Sequence, residues 1–145
     1  MSPSALANTL RVPHLLSGLV QQKPLSVLDG KTVLLYFTAS WCPPCRGFTP
    51  TLIDFYNKHH TSKNFEVVAV TWDEDEGAHS EYVGKMPWLS TPFDLDESQR
   101  ISEVFKVASI PTLIALDPAT GEVFARNARA NVVEDPEASN FPWKL

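Results

Sequence analysis

Two cysteines, Cys42 and Cys45, are the only thiols of the chain, and they lie three positions apart. Thiol–disulfide exchange needs such a pair, because one sulfur opens the disulfide of a substrate through a mixed disulfide and the other sulfur releases the product. Two cysteines at this spacing can also close a small disulfide ring. The pair therefore predicts a redox-active centre that alternates between dithiol and disulfide.

The segments on either side of Cys42 predict different roles for the two sulfurs. Residues 33–37 form a β-branched and aromatic run typical of a buried strand, and the two prolines directly after Cys42 suit the first turn of a helix. At that helix N-terminus, the free amides of Cys45 and Arg46 and the helix dipole favour a thiolate at Cys42. We therefore predict that Cys42 attacks and that Cys45, which is covered by the helix, resolves.

Two other interpretations of the cysteine pair are an inert structural pair and a metal site. The flanking tryptophan, the prolines and the preceding strand favour redox chemistry over the structural pair. Zinc takes four ligands, and the remaining candidates are His14, His59, His60 and His79. His59 and His60 are adjacent and point about 100° apart on a helix, so they do not form the usual paired ligands. No metal site is expected.

Length and composition narrow the classes of protein further. A chain of 145 residues is expected to form one domain over residues 1–145 and to bury a full core without disulfide staples. The net charge of −5 and the absence of a basic run argue against nucleic acid as a partner, and no apolar stretch approaches the length of a membrane span. We expect a monomer that binds neither nucleic acid nor membrane.

The compartment is inferred from the N-terminus and from cysteine usage. The first ten residues contain no charged side chain and no long apolar block, so neither a secretory signal nor an arginine-rich transit peptide is expected. A cycling C-x-x-C pair suits a reducing compartment. The cytosol is the expected location, and a mitochondrial form stays open.

The first half of the chain predicts a βαβ unit around the cysteines. The spacing of apolar residues, prolines and turn residues predicts the following elements. They are a short helix and a loop over residues 6–20 that cover one sheet edge, a strand over 25–28 in a hairpin with a strand over 32–38, a helix from 43 to about 60 kinked at Pro50, and a strand over 65–71.

The second half predicts a helix and a closing strand hairpin. The elements are loop and short edge structure over 86–93, a helix over 97–105 with Ile101, Val104 and Phe105 inward and Asp96 or Asp94 as its cap, strands over 112–116 and 122–125, and a tail over 126–145 with a turn at 135–136. Two aromatic residues of the tail, Phe141 and Trp143, are expected to dock on the core.

The acidic run over residues 73–76 has two interpretations. One is a helix start, where carboxylates in the first turn are stabilised by the dipole. The other is functional. The carboxyl ends of parallel strands meet at one edge of a sheet, which places Trp72, Asp73 and Glu74 at the same edge as Trp41 and Cys42. A carboxylate there could carry the proton of Cys45 or attract a cationic substrate.

These motifs together resemble a known pattern. The matching residues are 36–50 (YFTASWCPPCRGFTP), 71–74 (TWDE), 85–88 (KMPW), 109–113 (SIPTL), 128–130 (ARA), 135–136 (DP) and 141–144 (FPWK). The order of strand, W-C-x-x-C, helix, strand and I-P-T before a strand hairpin resembles the thioredoxins over nearly the whole chain. It resembles their tryparedoxin branch more closely, with nucleoredoxins as relatives.

The resemblance implies a thioredoxin-like α/β fold, with a central mixed sheet flanked by helices and an N-terminal extension. It also implies a cis peptide bond between Ile110 and Pro111, whereas the residue types alone favour trans. Members of the tryparedoxin family take electrons from trypanothione, a dithiol of two glutathiones joined by spermidine, and pass them to peroxidases of the peroxiredoxin and glutathione-peroxidase types. No bound cofactor is implied.

The resemblance also assigns roles to residues of this chain. Cys42 is implied as the nucleophile and Cys45 as the resolving thiol. The implied substrate surface comprises Trp41, Pro43, Trp72, Asp73, Glu74, Ile110, Pro111 and Arg129. Arg129 would pair with a glutathione carboxylate, and the acidic pair with the ammonium groups of the polyamine.

One residue departs from the ordinary thioredoxin pattern. Those proteins carry a buried aspartate six residues before the first cysteine, where this chain has Tyr36. A tyrosine with an ordinary pKa near 10 is a poor proton shuttle at neutral pH, so Glu74 or water is expected to carry the proton. Two other functions stay open, a nucleoredoxin-like general protein-disulfide reductase and a thioredoxin-fold binding module without catalysis.

Overall fold

A computed structural model describes residues 5–17 and 21–144. Within that part of the chain, seven strands form one mixed sheet in the order β2-β1-β5-β4-β3-β6-β7. The strands are β1 (Leu15–Ser17), β2 (Gln21–Lys23), β3 (Thr32–Thr38), β4 (Phe65–Thr71), β5 (Leu89–Ser90), β6 (Thr112–Leu116) and β7 (Val123–Ala125). The helices are α1 (Ala5–Leu10), α2 (Pro43–His59), α3 (Glu76–Gly84), α4 (Leu95–Val104) and α5 (Ala128–Glu134), with a 3-10 helix over Leu25–Leu28.

The centre of the sheet is β3, which pairs in parallel with β4 and antiparallel with β6. Successive side chains of a strand point to opposite faces, and both faces of β3 are buried. Leu34 and Tyr36 pack in one core cluster with residues of α2, whereas Leu35 and Phe37 pack in a second cluster with residues of α1 and α4. The predicted mixed sheet flanked by helices is confirmed. Strand β3, which directly precedes the cysteine segment, is held by neighbouring strands on both sides.

Helix α2 begins where the sequence predicts, with prolines at its first two positions and Cys42 as its N-cap. It continues through Pro50 to His59; the kink at Pro50 stays a prediction. His59 places Nε2 at 2.9 Å from the carbonyl oxygen of Pro136 near the helix C-terminus. Among the described residues, no helix is long and apolar enough to cross a membrane.

The N-terminal quarter differs from the prediction. Residues 25–28 form a 3-10 helix after Pro24, not a strand, and the hairpin is instead formed by β1 and β2. Strand β1 also pairs with β5, which makes β5 an interior strand of the sheet and not edge structure. The predicted loop is therefore wrong over residues 15–17, which form β1. Its last three residues, 18–20, lie outside the described residues.

The second half contains one wrong side-chain placement and one missed helix. Helix α4 is capped by Asp94, whose carboxylate accepts from the amide of Glu97 at 3.1 Å. Ile101 and Phe105 point inward as predicted, but Val104 is 48% exposed. Around the helix, Val104 lies about 60° to one side of Ile101 and Phe105 about 40° to the other, so the buried face runs from Ile101 toward Phe105 and Val104 turns toward solvent. Helix α5 was not anticipated in the tail.

The aromatic residues of the tail dock on the core, as predicted. Phe141 stacks near Phe65 with ring centroids 5.0 Å apart, and Trp143 lies 5.7 Å from the ring of Phe55. The turn between them and α5 is held by Asp135. Its carboxylate accepts from the amides of residues 139 and 140 at 2.9 Å and from the indole of Trp143 at 3.0 Å.

These hydrogen bonds make the stability of the tail depend on pH. The amide of Asn140 and the indole of Trp143 lower the pKa of Asp135 below its ordinary value. A lowered carboxyl pKa stabilises the folded state above the unfolded pKa, near 4, and this stabilisation disappears as pH falls through the folded pKa. Asp135→Asn is therefore expected to lower the urea midpoint at pH 7 and to converge with the wild type in acid.

The control for this prediction is the neighbouring exposed acid Glu137, changed to glutamine. Urea titrations of both variants between about pH 2 and 7 separate the specific hydrogen bonds from a change in net charge. A gap between Asp135→Asn and the wild type that stays constant through acid would contradict the role given to the ionised carboxylate.

Candidate functional site

The two cysteines form a disulfide at the N-terminus of α2, with their Cα atoms 5.2 Å apart. Cys42 is 5% exposed and Cys45 is fully buried. The amide of Cys45 points at Sγ of Cys42 at 3.3 Å. The amide of Arg46, however, donates to the carbonyl oxygen of Cys42 at 3.0 Å. The prediction that two amides face the sulfur is therefore wrong for Arg46, because its N–H closes the first turn of the helix.

Apolar side chains surround the disulfide. Ala39 is buried against it, and Trp72 and Ile110 pack on the same small cluster. The peptide bond between Ile110 and Pro111 is cis, as the resemblance implies. The carbonyl oxygen of Ile110 lies 4.0 Å from Sγ of Cys42. A substrate that reaches this sulfur therefore meets the backbone of the segment before β6.

Trp41 and Pro43 form an exposed rim on either side of Cys42 in the sequence. The indole of Trp41 is 60% exposed although the residue lies directly before a buried cysteine. Pro43 is also exposed and has no amide hydrogen to present to a ligand. The rim can offer apolar contact to a substrate.

The structure corrects the placement of Asp73. This side chain is only 2% exposed. Its carboxylate accepts from the backbone amide of Ser40 at 3.1 Å and also from the hydroxyl of Ser40. The expected contribution of Asp73 to an exposed substrate surface is therefore wrong, because both the burial and the bonds to Ser40 turn the carboxylate toward the loop before Trp41.

The other three acidic residues of the run at 73–76 serve different purposes: two start helix α3, and one is available to a ligand. Asp75 caps α3 and accepts from the amide of Ala78 at 2.8 Å, and Glu76 lies in the first turn, so both serve as a helix start. Glu74 is exposed and lies with Trp72 at the wall of an open groove. The indole nitrogen of Trp72 donates to the hydroxyl of Ser102 at 2.9 Å. Glu74 is thus the carboxylate of the run that is free to meet a ligand.

Arg129 supplies a positive charge next to the cis peptide. Its guanidinium donates to the carbonyl oxygen of Pro111 at 3.3 Å and lies 6.0 Å from the centre of the Phe48 ring. The residue is exposed at the start of α5. Since the tail helix was not anticipated, only the resemblance pointed to Arg129. The helix explains how a residue far along the chain comes to lie beside the cis peptide bond.

A buried group of hydroxyls lies beneath Cys45 and was not anticipated. Tyr36 and Thr49 both donate to the carbonyl oxygen of Cys45, at 3.2 and 2.9 Å. Tyr82 lies 3.1 Å from the Thr49 hydroxyl and 2.6 Å from that of Thr38. Burial raises the pKa of Tyr36 to about 12. Tyr36 therefore holds the backbone of the buried cysteine and stays protonated at neutral pH, as expected for a poor shuttle.

Removal of this hydroxyl should affect stability more than chemistry. We expect Tyr36→Phe to lower the free energy of unfolding by about 1 kcal/mol, since Thr49 still donates to Cys45. Turnover should change by less than about threefold, with an unaltered pH–rate profile. Disappearance of an inflection from the profile between about pH 6 and 9 would instead make Tyr36 a proton carrier.

The part of the chain that the structure describes contains no group of three or more histidine, cysteine or acidic side chains that could hold a metal ion. His79, one of the candidate ligands, is 3% exposed and faces Phe93 with ring centroids 5.5 Å apart. Burial lowers its pKa, so the neutral imidazole is favoured there.

Comparison with known proteins agrees with this site. The chain matches the family described as "Thioredoxin-like" over residues 30–123. It is 56% identical to the tryparedoxin of Trypanosoma brucei brucei over 120 residues, which are 82% of this chain and 83% of that protein. It is 41% identical to the nucleoredoxin of Homo sapiens over 120 residues, 81% of this chain but only 27% of that longer protein.

A solved structure extends the likeness to three dimensions. A tryparedoxin II complexed with glutathionylspermidine superposes with a TM-score of 0.92 at 43% identity, over 97% of this chain and all of the other. The fold and the Cys42–Cys45 pair define a dithiol–disulfide oxidoreductase of the thioredoxin-like class. Within that class, the chain belongs to the tryparedoxins.

Proposed function

We propose that the protein carries electrons from trypanothione to peroxidases of the peroxiredoxin and glutathione-peroxidase types. The observation that carries the proposal is the asymmetric disulfide, with Cys42 slightly exposed and Cys45 fully buried, in a chain so similar to a protein complexed with glutathionylspermidine. Glutathionylspermidine joins a peptide carboxylate, a thiol and a polyamine, the same chemical groups that trypanothione presents. Removal of hydroperoxides would be the outcome of this electron transfer.

In each catalytic cycle, trypanothione reduces the Cys42–Cys45 disulfide, and the disulfide forms again as the peroxidase is reduced. A trypanothione thiolate attacks Sγ of Cys42, the Cys42–Cys45 bond breaks, and Cys45 leaves as a thiolate that takes up a proton. The second thiolate of trypanothione then attacks the mixed disulfide and releases Cys42 as a thiolate. Cys42 next attacks the disulfide of the peroxidase, and Cys45 displaces the reduced peroxidase as the internal disulfide forms again. Two electrons and two protons pass in each turn.

The surface around Cys42 offers complementary groups for such a substrate. Trp41, Pro43 and Trp72 supply apolar contact, and the backbone at Ile110 and Pro111 supplies hydrogen-bond partners for an extended segment. Arg129 would bind a glutathione carboxylate and Glu74 an ammonium group of the polyamine. Asp73 is left out of this surface and is assigned to the loop that it holds. Water or Glu74 remains the proposed proton carrier for Cys45.

Charge removal should separate recognition from chemistry. We expect Arg129→Ala or Glu74→Ala to lower kcat/KM with trypanothione by about five- to tenfold, because each loses one charge-assisted contact. With dithiothreitol, which has neither carboxylate nor ammonium group, the loss should stay below about twofold. Equal losses with both reductants would remove Arg129 and Glu74 from the recognition surface.

The whole pathway is tested by coupled NADPH oxidation in a reconstituted chain with a peroxiredoxin and peroxide. One arm contains trypanothione and its reductase, and the other contains thioredoxin reductase. Faster flux in the first arm supports the proposal. Flux in the second arm alone would favour a general protein-disulfide reductase, the alternative suggested by the 41% identity to nucleoredoxin. Absence of flux in both arms would favour a binding module.

We also propose a cytosolic monomer that folds as one domain, because a cycling dithiol requires a reducing environment. Sedimentation of the purified chain and fractionation of cells that express it test the two parts separately. A stable dimer, or recovery with mitochondria alone, would contradict the respective part.

A further inference from the structure

An open groove with a volume of about 520 Å3 lies between Trp72 and helix α4. Its lining includes Trp72, Glu74, Leu95, Asp96, Glu103 and Val107. We name it the α4 groove. Trp72 forms both a wall of this groove and part of the apolar cluster around the disulfide. A molecule in the α4 groove would therefore contact a side chain that also packs on the disulfide.

The α4 groove combines apolar surface with uncompensated negative charge. Leu95 is 42% exposed at its edge. Asp96 and Glu103 are seven residues apart, which places them on one face of the helix and about 10 Å apart along it. Within residues 5–17 and 21–144, no lysine, arginine or histidine forms an ion pair with either carboxylate or with Glu74. A favourable ligand would bring both apolar groups and positive charge.

The single cation of α4 does not neutralise the α4 groove. The guanidinium of Arg100 pairs with Glu97 at 2.9 Å and donates to the carbonyl oxygens of Thr9 and Leu10 at 2.7 and 2.6 Å. These bonds tie Arg100 to the end of α1. The acidic character of the groove therefore remains available to a partner.

We propose that the α4 groove docks a segment of the protein substrate in which a lysine or arginine lies beside an apolar residue, a few positions from the disulfide to be reduced. The two acidic side chains are spaced for about three residues of extended chain. The apolar residue of the segment would contact Leu95 and Val107. A polyamine alone has no side chain that could make this contact. The inference rests on the oxidoreductase activity and deepens the proposed function by assigning a substrate-selecting surface.

The experiment compares four cyclic disulfide peptides that differ only beside one cysteine, with Lys-Leu, Lys-Ser, Ser-Ser or Glu-Ser at the same two positions. Dithiothreitol serves as reductant, so failure of the trypanothione pathway does not affect the result. We expect the wild type to reduce the Lys-Leu peptide with a kcat/KM about five- to tenfold above that of the Ser-Ser peptide. The Glu-Ser peptide should be the poorest substrate.

The decisive variant is Asp96→Asn combined with Glu103→Gln, which removes two charges from the α4 groove. Its preference for Lys-Leu over Ser-Ser should fall to about twofold. Asp54→Asn with Glu134→Gln, two exposed acids on α2 and α5, makes the same change in net charge and should keep the preference. Leu95→Ser should lower the rate with Lys-Leu more than with a Lys-Ser peptide.

Several results would overturn the proposal. They are an unchanged preference in the α4 variant, an equal loss in the control variant, or a wild-type preference that does not fall with added salt. A loss with trypanothione disulfide but not with the Lys-Leu peptide would assign the groove to the polyamine instead. Thermal unfolding of each variant checks that it is folded, and the salt series on the wild type needs no variant at all.

Discussion

Cys42→Ser is expected to lower the rate of disulfide reduction by at least about a thousandfold, because the attacking sulfur of the cycle is replaced by a hydroxyl that is not ionised at neutral pH. Of the two cysteines, Cys42 is 5% exposed and Cys45 is fully buried, and only the sulfur of Cys42 faces a helix amide, that of Cys45. The measurement is NADPH-coupled or dithiothreitol-driven reduction of a disulfide substrate. Full activity in this variant would favour the binding module.

Cys45→Ser should behave differently from Cys42→Ser. The first attack still occurs, but no second sulfur of the chain can release the product, so a mixed disulfide between Cys42 and the substrate accumulates. Intact-protein mass spectrometry detects it as an adduct that disappears with excess dithiothreitol. The roles are contradicted if the two thiols of the reduced wild type react equally fast with an alkylating agent.

The redox pair could be predicted because its signals are local in the sequence. A β-branched run, a cysteine and two prolines place a strand end and a helix start within a few residues, and α2 begins there. The orientation of Asp73 could not be predicted in this way. Whether that carboxylate faces solvent or the interior depends on Ser40, which is 33 residues away in the sequence. The rule that the carboxyl ends of parallel strands meet at one edge of the sheet places Asp73 at the edge where the cysteines lie. It does not predict which way the side chain points.

The cluster of hydroxyl side chains beneath Cys45 illustrates the same limit of sequence-based prediction. Tyr36 could be recognised as a replacement for an acid through the resemblance to the thioredoxins, which carry an aspartate six residues before the first cysteine. Its partners Thr49 and Tyr82 come from two different helices, 33 residues apart, and their meeting depends on how those helices pack on the sheet. Periodicity shows that each helix has a buried face, but it does not show which polar atoms will meet there.

Errors in the fold concentrate where short segments depend on distant partners. Residues 25–28 have the composition of a short strand, but their expected partner β3 is paired with β4 on one side and with β6 on the other, so it has no free edge. Strand β5 is an interior strand only because β1 pairs with it. The long elements β3, α2 and β4 were predicted with bounds close to those observed, because each carries its own repeated apolar pattern.

Removal of the Asp73 carboxylate should have the second largest effect. We expect Asp73→Ala to lower the free energy of unfolding by about 2–4 kcal/mol, because the amide and hydroxyl of Ser40 lose a buried, charged acceptor. The loop that Asp73 holds leads directly into Trp41 and Cys42. A looser loop misplaces the attacking sulfur, so kcat/KM with dithiothreitol and a disulfide substrate should also fall, by about tenfold.

The control is Asp75→Ala, which removes the N-cap of α3 two residues away and does not contact Ser40. Asp75→Ala should lower the free energy of unfolding by about 1 kcal/mol and leave turnover near that of the wild type. Ser40→Ala, alone and together with Asp73→Ala, completes a double-mutant cycle whose coupling energy reports the bond between the two side chains. If Asp73→Ala matched Asp75→Ala in both stability and turnover, the buried carboxylate would be a simple structural acid. A specific loss at Asp73 would mean that an acid taken at first for a substrate contact acts by fixing the loop that carries the nucleophile.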